Sequence, residues 1–143
     1  MRKAFTLIEI LVVVTIIGIL AATTAVSYSQ FSRQSRDARR KTDVEQIRGA
    51  IEMYKSFNNT YPASIDFSSC TSPGDLIDAT NTYIKKIPND PKCPTIFYYY
   101  YSASPYTDYT LCARLELTSS NVAGTTCAAS TACNYCFGPF GQL

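Results

Sequence analysis

The sequence predicts an α+β fold in which a long N-terminal α-helix carries a small antiparallel β-sheet head. Three observations lead to this prediction. Residues 5–26 form an apolar run whose single charged residue is Glu9. No proline precedes Pro62, so nothing breaks a helix in the first 61 residues. Two segments after residue 95 have the residue types and the alternation of β-strands.

The apolar run is long enough to cross a membrane. Its 22 residues would reach about 33 Å as a helix, and the hydrocarbon core of a bilayer is about 30 Å thick. Residues 1–4, which include Arg2 and Lys3, precede it as a short basic leader. We therefore expect residues 5–26 to be a transmembrane or filament-core helix.

The helical pattern continues after the run as an amphipathic stem, residues 27–60. Four apolar residues follow the 3-4-3 spacing of one helix face: Val44, Ile47, Ile51 and Tyr54. Two i,i+3 ion pairs are expected on the polar face, namely Glu45 with Arg48 and Glu52 with Lys55. We predict one continuous helix over residues 5–57, which ends at Asn58, Asn59 and Pro62.

Residues 61–143 are expected to form the head. Residues 62–95 contain five prolines and should be a mostly irregular connector with one short helix at 74–86. Residues 96–101 and 109–117 should form an antiparallel hairpin with its turn at 102–108. In the second strand the odd-numbered residues should share one face and the even-numbered ones the other. A further short strand is expected near residues 133–137.

All six cysteines lie after the apolar run: Cys70, Cys93, Cys112, Cys127, Cys133 and Cys136. An even number in a small exported region predicts disulfides, which stabilise a head too small for a large core. The alternative is a metal site, since Cys133 and Cys136 have zinc-ligand spacing. That spacing occurs once and the chain has no histidine, so we predict disulfides and no metal. The sequence does not select among the 15 possible pairings.

The charges exclude several classes of function. The net charge is +2, with nine Lys/Arg and five Asp/Glu in residues 1–60 but four and six in residues 61–143. This balance predicts no specific nucleic-acid partner. The basic cluster at residues 33–41 could hold DNA, but a charge run on one helix is more often a solvated face. We expect the solvated face, which also meets lipid headgroups or acidic patches on neighbours. No catalytic residues and no phosphate-binding loop are recognisable, which predicts no enzyme and no cofactor.

The apolar run has two ordinary interpretations. As a signal peptide it would be removed near Thr23, Thr24 and Ala25, but the helical pattern continues past that point. As a plain signal anchor it would have to overcome the positive charges that follow it. Neither accounts for Glu9, since a carboxylate inside a bilayer costs about 3 kcal/mol and marks a paired or functional group.

A third interpretation gives Glu9 a partner. If cleavage between Ala4 and Phe5 creates a new amino terminus, that amine lies one helical turn from Glu9. The carboxylate would then pair with the amine of its own chain or of a neighbouring chain. An intermolecular pair would set the axial register of packed helices.

A resemblance points the same way. Residues 3–9, Lys-Ala-Phe-Thr-Leu-Ile-Glu, followed by the apolar residues 10–22, closely resemble the class III signal of type IV prepilins and type II secretion pseudopilins. The resemblance implies a pilin-like fold, cleavage between Ala4 and Phe5 by a prepilin peptidase, and N-methylation of Phe5. It also implies that Glu9 neutralises the amino terminus of an adjacent subunit. Ala4 stands where glycine is usual, and Val26 lies where many members have a proline.

The resemblance also implies partners and a location. The subunit would be a single-pass precursor in the bacterial cytoplasmic membrane, in contact with lipid, and later part of an extracytoplasmic filament at the cell surface or in the periplasm. Copies would form a helical homo-oligomer with the help of an inner-membrane assembly platform and a separate ATPase.

The resemblance leaves the kind of filament open. We expect a type IV pilus-like filament for motility, adhesion or DNA uptake; the alternatives are a major pseudopilin of a type II secretion system and, remotely, a membrane-tethered enzyme. Residues 51–62 and 83–91 resemble the major-pseudopilin branch. That branch commonly has an acidic calcium loop, whereas no Asp or Glu follows Glu116 here.

The tyrosine run 98–101 has its own alternatives. It would be an adhesive surface, a stacking platform for single-stranded DNA, or a strand with one face on the stem helix and the other at a subunit contact. We favour the last.

Overall fold

A computed structural model describes residues 5–71, 74–128 and 131–143. The predicted leader, residues 1–4, lies outside this range. The chain forms two compact units that divide between Ser35 and Arg36, and each is described by itself.

The predicted helix is confirmed as α1, Leu7–Asn58, which has 52 residues. It begins after Thr6, whose side chain caps the first turn, as described below. It ends at Asn59, which adopts a left-handed conformation with φ 57°. The Asn59 N–H still donates to the Lys55 carbonyl, at 2.9 Å, and the Lys55 ammonium donates to the Asn59 carbonyl. This is a common way for a helix to satisfy its last carbonyls.

The unit 36–143 combines the C-terminal part of α1 with short strands, all paired in antiparallel fashion. The described residues contain β1 Leu76–Ile77, β2 Thr82–Ile84, β3 Tyr99–Tyr101, β4 Thr110–Ala113, β5 Thr126–Ala128, β6 Thr131–Ala132, β7 Tyr135–Gly138 and β8 Gly141–Gln142. The main sheet has the order β3-β4-β7-β8. β1 pairs with β2 and β5 with β6 in two small hairpins. The predicted α+β architecture and the predicted β3–β4 hairpin are therefore confirmed.

One face of the main sheet packs on α1. The predicted helix stripe supplies Val44, Ile47 and Ile51, each at most 1% exposed, and the sheet supplies Leu111 and Ala113. The other face is covered by four buried cysteines, which form a second small core with Ile96, Tyr99 and Val122. β4 is thus buried on both faces. Its residues alternate as predicted, and Leu111, Cys112 and Ala113 are all fully buried, although they point to opposite faces.

The six cysteines form three disulfides, Cys70–Cys93, Cys112–Cys136 and Cys127–Cys133. The first closes the connector. The second joins directly opposite residues of β4 and β7. The third links β5 to the residue that follows β6. Covalent closure suits a head of this size, because a small apolar core alone stabilises a fold weakly.

The predicted helix at residues 74–86 is wrong. This segment folds into β1 and β2, with Leu76 opposite Ile84. The Asp78 carboxylate accepts hydrogen bonds from the backbone N–H groups of Thr80 and Asn81, both at 2.7 Å. Such an aspartate turn reverses the chain and competes with helix formation.

The hairpin strands are shorter than the predicted 96–101 and 109–117. β4 ends at Ala113 because side chains replace the strand partners beyond it. The Leu115 N–H donates to the Asn134 side-chain oxygen at 2.7 Å, and the Asn134 amide donates to the Leu115 carbonyl at 2.9 Å. The Asp37 carboxylate accepts from the N–H groups of Glu116 and Leu117.

One of the two predicted helix ion pairs forms. Arg48 and Glu45 lie 3.4 Å apart. The Glu52 carboxylate instead accepts hydrogen bonds from the hydroxyls of Tyr61 and Tyr109, at 3.3 and 3.1 Å. The prediction of a Glu52–Lys55 pair was wrong because two buried tyrosines supply donors that the helix pattern alone does not reveal.

Candidate functional site

The N-terminal part of α1 presents its apolar side chains on all sides. From Leu7 to Leu20 the large apolar residues are 47–82% exposed, and Phe5 is 81% exposed. Among the described residues, α1 is the one helix whose length and composition would allow it to cross a membrane. A helix that is apolar all round requires lipid or other protein chains around it.

Glu9 lies in the first turn of α1 and closes a capping box with Thr6. The carboxylate oxygen Oε2 accepts from the Thr6 N–H at 2.8 Å and from the Thr6 hydroxyl at 2.7 Å. The Glu9 N–H donates to the Thr6 hydroxyl at 3.4 Å. A threonine at the cap followed three residues later by glutamate is a recognised helix-start pattern. Sequence reasoning assigned Glu9 to pairing with an amine and missed this local partner, although the spacing was visible.

The predicted processing site divides at the edge of the described chain. Ala4 lies outside the described residues, and Phe5 is the first residue inside them. The position of the amine that cleavage would create therefore stays a prediction. Phe5 precedes the capping box directly, so cleavage there would leave the bonds between Thr6 and Glu9 intact.

Arg40, on α1, is the most deeply buried charged residue in the described part of the unit 36–143. Its side chain is 0% exposed and makes a two-pronged contact with Asp90, Nε to Oδ2 at 2.7 Å and Nη2 to Oδ1 at 3.0 Å. Its Nη1 donates to Asp37 at 2.8 Å and to Glu116 at 3.0 Å. Carboxylates from the helix, from the connector and from the segment after β4 thus meet on one guanidinium. Such a forked arrangement is one that lysine cannot reproduce.

Glu116 extends this network to the surface. It accepts two bonds from Arg36, at 2.7 and 2.8 Å, and one from the Lys92 ammonium at 2.8 Å. The hydrogen bonds from Arg36, and further ones from Lys92 and Arg40, hold the pKa of the Glu116 carboxyl well below its usual range. The three cations and the three carboxylates balance in formal charge.

This network corrects the prediction for two members of the basic cluster at residues 33–41, since Arg36 and Arg40 do not lie on a solvated face. Arg33, Arg39 and Lys41 are exposed, as predicted. Arg36 and Arg40 bind acidic groups of their own head, because the chain folds Asp90 and Glu116 back onto the helix. The sequence places these partners 50 and 80 residues away, too far for any helix-spacing rule to find.

The tyrosine run divides between two sides, and the side that packs with the stem helix is confirmed. On the other side Tyr99 covers the cysteine core of its own chain and is not available for a subunit contact. Tyr98 is buried and its hydroxyl donates to Asp43 at 2.7 Å. Tyr100 packs against the same core, and its hydroxyl donates to the Pro62 carbonyl at 2.7 Å. Tyr99 packs on the cysteine core, while Tyr101 is 56% exposed. A row of exposed rings for stacking bases is therefore not present in residues 98–101.

Over residues 5–71, 74–128 and 131–143 the structure brings together no group of three or more acidic, cysteine or histidine side chains suited to a metal ion. All six cysteines are bonded to one another.

Comparisons with known proteins match the N-terminal segment of the chain to a family model and about two thirds of the chain to individual proteins. The family model "Prokaryotic N-terminal methylation motif" matches residues 1–25. The chain is similar to the type II secretion system core protein G of Vibrio cholerae, with 33% identity over 98 residues, which cover 64% of this chain and 67% of that protein. The protein of the same name from Pseudomonas aeruginosa is 34% identical over 96 residues, covering 63% and 68%.

A shorter match reaches a second kind of protein. The type IV major fimbrial protein FimA of Dichelobacter nodosus is 44% identical over 52 residues, which cover 36% of this chain and 33% of that protein. No solved structure matches the chain significantly.

Proposed function

The chain belongs to the family of type IV pilins and type II secretion pseudopilins, and from this membership we propose that its copies build a type IV pilus-like filament on the cell surface. Proteins of this family have a structural function as the subunits of filaments. The observation that carries the proposal is the apolar surface of residues 7–20, which the chain itself leaves uncovered. Sister helices would cover it in a filament, and lipid would cover it before assembly.

Processing is the first step of this proposal. A prepilin peptidase cleaves between Ala4 and Phe5, and the new Phe5 amine is methylated. The match of the methylation motif to residues 1–25 supports this step. Intact-mass and N-terminal peptide analysis of the mature protein should show a chain that begins at methylated Phe5. A mature chain that begins at Val26 would identify residues 1–25 as an ordinary signal peptide.

Glu9 then guides assembly by pairing with the amino terminus of a neighbouring subunit. A charge inside an apolar helix bundle is expensive unless it is paired, so the pair would favour one register over others. The Thr6–Glu9 capping box offers a way to separate this role from a local one. Glutamine also closes a capping box, so Glu9→Gln removes the charge and keeps the cap.

We expect Glu9→Gln to reduce the amount of filament strongly, as measured by shearing and quantitative immunoblotting, with the membrane-bound subunit at normal levels. The matched control is Thr6→Val, which keeps the shape and the Glu9 charge but removes the cap hydroxyl; it should assemble. If Glu9→Gln assembles normally while Thr6→Val does not, Glu9 acts through the helix cap and the charge-pairing proposal is wrong.

A major pseudopilin of a type II secretion system is the second candidate. The similarity to core protein G, which extends over two thirds of those proteins, favours it. Immunogold imaging with an antibody to the head distinguishes the two. Long labelled surface filaments support the pilus, whereas their absence, together with loss of protein export on deletion of the gene, supports the pseudopilus.

The two candidates share the same partners and the same first location. The family membership and the apolar helix fit a membrane-anchored precursor and an extracytoplasmic filament. We propose that an inner-membrane assembly platform draws the subunits from the bacterial cytoplasmic membrane and that a separate ATPase supplies the energy.

A further inference from the structure

Two aromatic side chains follow the apolar run on α1. Tyr28 and Phe31 lie three residues apart, so they share a helix face. They are 75% and 70% exposed within the chain. A pair of large exposed rings on one face indicates a surface that another environment covers.

Their position along the helix identifies that environment. A span that enters the hydrocarbon at Phe5 leaves it near residue 25, because about 20 helical residues cross about 30 Å. Tyr28 and Phe31 then lie about 5 and 9 Å beyond this boundary. A bilayer with its headgroups is about 40–45 Å thick, so the headgroup layer on each side is about 5–8 Å deep. The backbone of Tyr28 therefore lies inside this layer and that of Phe31 at its outer edge, within reach of its ring.

The chemistry of the segment fits lipid headgroups. Tyrosine combines an apolar ring with a polar hydroxyl and is enriched at membrane–water interfaces. Arg33 follows two residues after Phe31 and is the only basic residue between Phe5 and Ser35. Further along the helix, Arg36 and Arg40 bind Glu116 and Asp90, and Arg39 lies 3.7 Å from Asp43. Arg33 lies about 12 Å beyond the hydrocarbon boundary. Its long side chain can extend back along the helix towards a lipid phosphate.

We propose that Tyr28, Phe31 and Arg33 form an interfacial anchor that binds the lipid headgroup layer on the extracytoplasmic side and fixes the depth of the unassembled subunit. The proposal goes beyond filament formation and rests only on the membrane-anchored precursor. The anchor limits how far the helix can slide along the membrane normal. Assembly has to release it before the helix leaves the bilayer.

The chain has no tryptophan, so a single introduced tryptophan reports its own depth by fluorescence. The full chain is reconstituted in vesicles of phosphatidylcholine and phosphatidylglycerol that carry bromine either near the headgroups or deep in the acyl chains. Three variants are compared: Phe31→Trp in the anchor, Val13→Trp in the middle of the span, and Phe57→Trp near the C-terminal end of α1, where the side chain is 64% exposed.

We expect Phe31→Trp to be quenched more by shallow than by deep bromines, and Val13→Trp to show the opposite order. Phe57→Trp should be unquenched and red-shifted relative to Phe31→Trp. Phe31→Trp should also emit further to the blue in these mixed vesicles than in vesicles of phosphatidylcholine alone, because anionic headgroups attract Arg33. Arg33→Gln on the Phe31→Trp background should remove this difference, because the anionic lipid no longer has a cation to meet.

Three results for Phe31→Trp would overturn the proposal. Phe31→Trp as unquenched as Phe57→Trp would place the face in water, and stronger quenching by deep bromines would place it in the hydrocarbon. A blue shift of Phe31→Trp that appears without quenching and is lost on dilution with lipid would assign the face to sister helices. If Val13→Trp is also unquenched, the span itself is absent and the membrane-anchored precursor fails with it.

Discussion

At the scale of single residues, the buried guanidinium of Arg40 is the contact on which the head depends most. It meets Asp37, Asp90 and Glu116 with its own side chain and that of Asp90 fully buried. Each of these charges loses its hydration on burial. The ion pairs and hydrogen bonds with the other members offset that cost, so the charges are stable only as a set. The network is therefore expected to fail as a unit when one member is removed.

We predict that Arg40→Met destabilises the folded head by about 3–5 kcal/mol, since it leaves buried carboxylates without their cation. Unfolding of the full chain in detergent, followed by circular dichroism in urea, measures this. Arg39→Met is the matched control, because Arg39 lies one residue away, is 62% exposed and is 3.7 Å from Asp43. It should change stability by less than about 1 kcal/mol. Equal effects would mean that the buried network contributes no more than a surface pair.

The same network predicts a dependence on pH. The pKa of Glu116 is lowered in the folded state, chiefly by Arg36, so its contribution is present above the unfolded pKa of about 4.3. That contribution is lost as the pH falls towards the folded pKa. Burial raises the pKa of Asp43, which acts in the opposite direction and weakens the overall effect.

We therefore expect the stability of the head to fall as the pH decreases from 5, and to fall less steeply in Glu116→Gln. Denaturation midpoints measured at several pH values between about 3 and 7 test this, because they cover the range in which carboxyls titrate. If the midpoint changes with pH equally in the unchanged chain and in Glu116→Gln, protonation of Glu116 does not affect the stability of the head.

At the scale of elements, the two disulfides of the cysteine core differ in the loops that they close. Cys112–Cys136 spans 24 residues and Cys127–Cys133 spans 6, while all four cysteines are at most 1% exposed. A longer loop gains more from closure, because the unfolded chain loses more freedom.

Replacing Cys112 and Cys136 by alanine should cost about 3 kcal/mol of chain-entropy stabilisation, and replacing Cys127 and Cys133 about 2 kcal/mol. Urea denaturation of the two double variants measures the order, and non-reducing mass spectrometry confirms that the remaining bonds are intact. If the short loop contributes more, the effect arises from packing in the core rather than from chain entropy.

The elements also show which parts of the fold the sequence could predict. Local period and composition were enough for α1 and for the β3–β4 hairpin, because both patterns are contained within a few turns or residues. The segment 74–86 was mistaken for a helix because the decisive contact is a side-chain turn at Asp78, which competes with a weak apolar pattern. The end of β4 depends on residues that are distant in the sequence, such as Asn134, and local sequence rules cannot predict such contacts.

The residues of the candidate site could be predicted only in part. The residues of the N-terminal signal stand in order in the sequence, so Phe5 and Glu9 could be selected, and the Thr6–Glu9 spacing could have been recognised as well. The partners of Arg36 and Arg40 could not be found, since charge clusters along a helix carry no information on distant carboxylates. The disulfide pairing likewise depends on the strand register that places Cys112 opposite Cys136.

At the scale of the whole molecule, the two compact units differ in what holds them. The unit 36–143 has its own core, three disulfides and a buried ion network. The large apolar side chains of residues 7–20 are exposed and gain a core only from outside the chain. Assembly should therefore stabilise the first unit and leave the second nearly unchanged.

Hydrogen–deuterium exchange can test this difference. We expect amides of residues 7–35 to exchange faster in the detergent-solubilised subunit than in assembled filaments, and amides of residues 44–51 to exchange equally in both. The helix core residue Val44, which is 0% exposed in the single chain, is the internal reference. Equal protection of residues 7–35 in both states would contradict assembly through the N-terminal helix.

The cysteine core has a consequence for the supply of subunits. Because the sulfurs of Cys112 and Cys136 are sealed inside the finished head, an oxidant has to reach them while the chain is still open. The reducing cytoplasm does not favour these bonds, so the head is expected to mature only after it has crossed the membrane. The rate at which a cell lengthens its filaments would then have an upper limit set by thiol oxidation outside the cytoplasm, independent of the motor that extracts the subunits.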